Sequence, residues 1–250
     1  MNFFSSNANT LNKIQLFTVI TSITGLFYFD FTLLNVLLTI FSFYVYSIFG
    51  LSMTLHRYYT HKSFEMHPIL HWVFTFISIL TGRGSPLGWV YIHRLHHAFS
   101  DTDKDPHGPK TMGFKLFGFK PIEVQTKPNL FIVKDLMNPK QMFINKYYLL
   151  IILAWLVVLS IIDIQMIYFT WILPVFLVQL SQNSFNHFAH IYGYRNFETK
   201  DNSTNNFLLW PFILGDAWHN NHHANADKIT TQIKRYEFDP VAKFISLIRK

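Results

Sequence analysis

The sequence predicts an all-α integral membrane protein, with four transmembrane helices forming two hairpins and a cytoplasmic helical cap carrying a di-metal site. Three observations predict it. Half of the 250 residues are hydrophobic, only 14% are charged, and 27 are Phe, which is too apolar for a chain that must clothe itself in water. Four long apolar runs lack Lys and Arg and are separated pairwise by single aspartates, Asp30 and Asp163. Three histidine clusters lie beyond the ends of those runs: His56 with His61, His93-Arg94-Leu95-His96-His97, and His219-Asn220-Asn221-His222-His223.

The chain reads as a single domain over residues 1–250. Met1–Asn12 is small and polar and is expected to be a disordered or surface tail, without the basic start or cleavage site of a signal peptide. Residues 14–29 and 31–55 are the first two expected spans. At 1.5 Å per residue they reach roughly 24 Å and 37 Å, against a hydrocarbon core of about 30 Å. His56 and His61 follow at once. Five residues on an ideal α-helix subtend about 140°, so the helix must end or bend if both are to meet one site. Ile69–Leu80 is apolar but too short to span, so it reads as an interfacial, re-entrant or buried helix. His67 and His71 at its start read as surface or packing residues.

Gly82-Arg83-Gly84-Ser85-Pro86-Leu87-Gly88 is a turn-rich break before the second cluster. Asp101–Lys110 is a loop, and Thr111–Asn145 a soluble, partly helical connection. Residues 147–162 and 164–186 are the third and fourth spans. Pro174 within the last is tolerable where neighbouring helices satisfy the freed backbone. Of the 21 Lys and Arg, Lys13 stands at the end of the N-terminal tail and the rest lie in the segments 56–146 and 187–250. The positive-inside rule makes all three cytoplasmic, which puts both termini and every histidine cluster on one face of the bilayer.

The clusters suit metal ligation. On a helix, His93 and His97 are i, i+4 neighbours and His96 stands close to both, and neutral imidazole is the commonest metal ligand. With no cysteine in the chain, thiolate haem, iron–sulfur and cysteine-zinc sites are excluded within it. With His187 at the end of the fourth run, nine histidines lie on one face, which exceeds the needs of one ion, so two fit the count. All-nitrogen ligation suits zinc, copper, iron or nickel. Neither Glu-x-x-His nor His-Glu-x-x-His occurs, which removes the soluble di-iron bundles and the zinc proteases.

With Trp89-Val90 ahead of the second cluster, Asp101-Thr102-x-x-Asp105-Pro106-His107 after it, Gly215-Asp216-x-Trp218 ahead of the third, and Asn183-x-x-x-His187, the chain resembles the membrane fatty acid desaturases. The resemblance covers about residues 50–240. It is closest to the Δ9 acyl branch that includes stearoyl-CoA desaturase, in a bacterial or plastid-type form. It implies two iron ions (Fe2+/Fe3+), O2 as co-substrate and a cis double bond, Δ9 by analogy, placed in a saturated fatty acyl chain. Carried over by position, His56, His61, His93, His97 and His222 would hold the first iron. His96, His187, His219 and His223 would hold the second, with Asn183 acting through a water. Asp101, Asp105 and Asp216 would orient imidazoles. No catalytic residue beyond the metal ligands is implied.

Where animal enzymes carry polar residues for the acyl-CoA headgroup, this chain has Arg83-Gly84-Ser85, so Arg83 is the candidate headgroup contact. The sequence carries no His-Pro-Gly-Gly haem-domain motif. A separate electron donor is therefore expected, a ferredoxin or a haem protein with its reductase. The net charge of +7 then reads as a surface for anionic lipid or an acidic donor rather than for nucleic acid. A membrane lipid or alkane hydroxylase is the alternative. A histidine-rich metal transporter is the remote one, since the apolar runs hold no charge at mid-membrane.

Overall fold

The computed structural model describes residues 3–113 and 129–250. It is all-helical, and hydrophobic patterning accounts for its elements. The longest are α1 (Phe3–Gly25), α2 (Leu33–Thr60), α5 (Pro139–Ile162) and α6 (Ile164–Phe188). Shorter helices are α3 (Pro68–Leu80), α4 (Pro86–Phe99), α7 (His219–Ala224) and α8 (Pro240–Ile248). A short helical stretch, Phe207–Ala217, leads into α7. Part of the segment expected to be a soluble connection lies outside the described residues. Among the described residues, α2, α5 and α6 are long and apolar enough to cross a bilayer. Large apolar side chains stand exposed around both hairpin turns: Phe27, Tyr28, Leu33, Ile161, Ile162 and Ile164. Such surface is matched by hydrocarbon, not water, and the chain is an integral membrane protein.

Two boundaries differ from expectation. α1 begins at Phe3, so most of the expected N-terminal tail is helical. Its polar residues do not break a helix that later turns commit. α5 begins at Pro139, eight residues before the apolar run, because Pro139 occupies the first turn, where its missing N–H costs nothing, and the Asn138 side chain caps Gln141 N at 3.1 Å. Asp163 likewise caps Gln165 N at 2.9 Å and makes the turn between α5 and α6, which holds no Lys or Arg.

α2 and α6 run side by side and in the same direction away from their turns. Thr39 Oγ1 donates to the Phe169 carbonyl at 3.0 Å, and Tyr46 Oη to the Thr170 carbonyl at 2.8 Å. The second bond answers Pro174, which has no N–H to offer the carbonyl four residues back. Tyr168 Oη donates to the Ser22 carbonyl at 2.9 Å and ties α1 to α6. The far ends of α2 and α6 therefore arrive together, and the histidines sit there.

α2 is α-helical to Tyr44 and π-helical from Val45 to Thr60. A π-helix closes each turn at i→i+5 rather than i→i+4, as in His61 N to the His56 carbonyl at 3.2 Å. Residues five apart, splayed on an α-helix, are brought round to one side. The requirement that the helix end or bend between His56 and His61 is met by widening its turns. α3 and α4 pack against this segment, and α4 starts cleanly, with Ser85 as cap (Gly88 N to Ser85 Oγ, 3.1 Å) and Pro86 in its first turn.

Candidate metal centre

α4 aims its histidines two ways. His93 and His97, one turn apart, bring their Nε2 atoms to 3.1 Å. His222 Nε2, from α7, lies 3.1 Å from His97 Nε2 and 2.9 Å from His56 Nε2. With His61, one ring nitrogen from each of these five histidines falls within 4.8 Å of all the others. His96 turns to a second group with His190, His219 and His223, gathered just as tightly. In that group His190 Nε2 and His219 Nε2 are 3.0 Å apart. The two groups adjoin: the His97 and His223 rings stack with centroids 4.5 Å apart.

Carboxylates face the outer nitrogens. His96 Nδ1 donates to Asp105 at 3.0 Å, His190 Nδ1 to Asp101 at 3.0 Å and His223 Nδ1 to Asp201 at 2.8 Å, while His56 Nδ1 stands 3.4 Å from Asp216. Each such bond fixes the proton on Nδ1 and leaves the Nε2 lone pair pointing inward. Inward, the lone pairs meet one another. Among the described residues nothing donates to His223 Nε2 or to His61 Nε2, both of which are buried. Converging, desolvated lone pairs repel unless a cation lies among them. With metal–imidazole bonds of roughly 2.1 Å, neighbouring donors at right angles stand about 3.0 Å apart, which matches the Nε2–Nε2 separations here. The donor set fits two transition-metal ions and offers them nitrogen only.

Protonation supports the same use. Burial, then the neighbouring imidazoles, hold His93, His97, His219 and His222 well below the usual histidine range. Burial takes His61 down to about 2, and His223 to about 4 against the opposing pull of Asp201. These rings are neutral ligands at physiological pH. Burial alone would raise Asp105, Asp201 and Asp216. Hydrogen bonds and charge from His96, His223 and from His56 with Arg57, respectively, outweigh it and hold all three carboxyls low.

The five residues expected at the first metal are the five brought together. At the second, His96, His219 and His223 come together as expected, but the fourth ring is His190. Among the described residues, His187 lies outside both groups. The spacing Asn-x-x-x-His occurs twice in overlap, as Asn183…His187 and Asn186…His190. The two patterns differ by three residues, about one helical turn, so spacing alone cannot choose between them. Asn183 and His187 are both buried near the end of α6.

Asp101 and Asp105 sit where they orient rings, and Asp101 adopts a left-handed backbone, φ 59°, which aspartate tolerates better than most residues. Asp201, in an irregular loop, was missed for want of any periodic signal. His107 is buried and stacked on His96 with centroids 4.4 Å apart. Arg83, the candidate headgroup contact, is buried.

The sequence profile described as fatty acid desaturase matches residues 31–243. Among curated relatives, the Delta-9 desaturase-like 3 protein of Arabidopsis thaliana is 30% identical over 178 residues, covering 66% of this chain and 58% of the relative. Delta-9 acyl-lipid desaturase 1 of the same plant is 28% identical over 188 residues, covering 70% and 60%. The hex-5-enoyl-[acyl-carrier protein] acetylenase of Moorena producens (strain JHB) is 27% identical over 191 residues, covering 67% and 59%. The chain thus spans less than two thirds of the length of these relatives.

Proposed function

Because this chain belongs to the fatty acid desaturase family, we propose that it introduces a double bond into a saturated fatty acyl chain at two irons held by imidazole. The observation that carries the reading is the pair of adjoining, buried, all-histidine groups at the joined ends of α2, α4 and α6. His56, His61, His93, His97 and His222 hold one iron, and His96, His190, His219 and His223 the other. Bound there, the irons with O2 supply the oxidising power to take two hydrogens from unactivated methylenes. The chain's own residues keep that chemistry in place. Asp101, Asp105, Asp201 and Asp216 hold protons on Nδ1, so that Nε2 faces inward. Burial keeps the rings neutral and water away.

Finer features of the reading follow. α1 is the fourth span, and the Lys/Arg distribution supports a cytoplasmic site with both termini on that side. The names of the Delta-9 relatives support a Δ9 position. Exposed Lys104, Lys110, Lys228, Lys234 and Arg235 favour an acidic electron donor, whose reduction rate then falls as salt rises.

The test is gas chromatography–mass spectrometry of lipids from a host lacking its own desaturase, grown in air with and without this chain and a co-expressed ferredoxin system. New monounsaturated chains are expected, and their double-bond position and headgroup class identify regiochemistry and carrier. Hydroxylated chains, or no new product with the donor present, would refute the reading. A second expectation concerns Asp201→Ala. Losing the partner of His223 should weaken iron binding by roughly 10–100-fold, measurable by competition with a chromophoric chelator. Unchanged affinity would remove Asp201 from the site.

A further inference from the structure

Arg83 lies midway along the connection between α3 and α4. It is 8% exposed, and its Nε and Nη1 atoms are buried without a hydrogen-bond partner among the described residues. No carboxylate among the described residues pairs with it, and burial alone bears on its ionisation, lowering it to about 10. It therefore stays charged at neutral pH. Buried guanidinium groups are ordinarily paired, because an unpaired buried charge is costly.

The next residue shows room for a partner. Gly84 is buried, with φ 95°, yet a β-carbon placed on it would meet, among the described residues beyond its own chain neighbours, no atom within 4 Å. The N-terminal end of the 14-residue α4 begins two residues further on and adds its own positive potential. The helix that begins here carries His93, His96 and His97 two turns and more further along. An uncompensated cation, a helix N-terminus and free interior space thus coincide at the start of the helix that bears three of the histidines.

We propose that Arg83 is an internal oxyanion site, which takes the compact anionic end of an amphiphilic ligand, a carboxylate or a phosphate monoester, inside the protein. The proposal rests on the reading that this chain handles acyl chains. Its consequence is that the ligand's polar end is anchored inside the protein, at the start of the histidine-bearing α4, not left at the membrane surface, so the distance from anion to reacting carbon is set within the protein.

The experiment is competition against radiolabelled palmitate with the purified full chain in zwitterionic detergent, using palmitate, hexadecyl phosphate and methyl palmitate. Binding needs neither electrons nor oxygen, so it is read apart from activity. The wild type should prefer the oxyanions over the methyl ester by about tenfold or more, as for one hydrogen-bonded charge pair. Arg83→Gln should bring that ratio to within about twofold, and Arg83→Lys should keep most of it. The ranking of palmitate against hexadecyl phosphate identifies which oxyanion the site was built for. Equal binding of ester and acid by the wild type, or an undiminished preference in Arg83→Gln, would overturn the site while leaving the acyl reading intact. Failure to bind any of the three would overturn both. Should Arg83→Gln not fold, the wild-type ratio together with Arg83→Lys decides the matter.

Discussion

Replacing His190 with Ala should remove one iron of the pair and abolish desaturation, while replacing His187 with Ala should leave the iron count unchanged. The two residues are one turn apart, both are buried, and both belong to an Asn-x-x-x-His pattern. Only His190 has its Nε2 3.0 Å from that of His219 while its Nδ1 is held by Asp101. Loss of a direct ligand should exceed the roughly 10–100-fold typical of losing the group behind a ligand. Iron per chain by inductively coupled plasma mass spectrometry, on protein that still elutes as a single species, reads this directly. Loss of iron from His187→Ala with iron kept in His190→Ala would reverse the assignment.

The second large effect is on stability. Arg57, 2% exposed, joins the end of α2 to the C-terminal segment. Its Nη2 donates to Asp216 at 3.1 Å, and its Nη1 to Asp239 at 3.0 Å and to the Ile229 carbonyl at 2.8 Å. Asp239 in turn caps α8 through Ala242 N at 3.0 Å, and Gly215 lies so close that a β-carbon there would collide with Asp239. Arg57→Met strands two buried carboxylates, and breaking such a pair costs about 3–5 kcal/mol. A large fall in the temperature of half-loss of monodisperse protein is expected. Asp239→Asn in the same chain should recover part of it, since the two residues share one network. Asp216 also faces His56, so iron at the first position should loosen as well. Wild-type stability in Arg57→Met would show the network to be incidental.

Much of this site was legible in the sequence because metal ligands on helices repeat at three and four residues. The family resemblance divided His93 and His97 from His96, and the i, i+4 spacing of His93/His97 and of His219/His223 accords with that division. The hairpins were legible because lipid demands long apolar runs, and the two turns carry no Lys or Arg. What escaped had no period. Asp201 lies in a loop and acts only through the fold that carries it to His223. His190 follows the last turn of α6, and its pattern overlaps that of His187, so the choice depended on where the helix stops. Arg83 stands in a Gly-rich break whose sequence does not show how deeply the fold buries it. The π-helical turns of α2 gave no sign beyond the five-residue spacing of His56 and His61, since the residues from Val45 to Leu55 mix apolar and small polar side chains as any helix near a bilayer can.

Those turns make the placement of His56 depend on counting. An α-helix of the same composition would be as well buried and better bonded, so losing any one residue between Val45 and Leu55 would let the stretch relax toward that geometry. Everything beyond the deletion would then swing by about 100°, carrying His56 off its partners. Apolar residues there are free to drift into one another over evolutionary time, but the number of them is not. Insertions and deletions, tolerated in the surface loops, should be absent from this stretch of α2 in any descendant that keeps the metals.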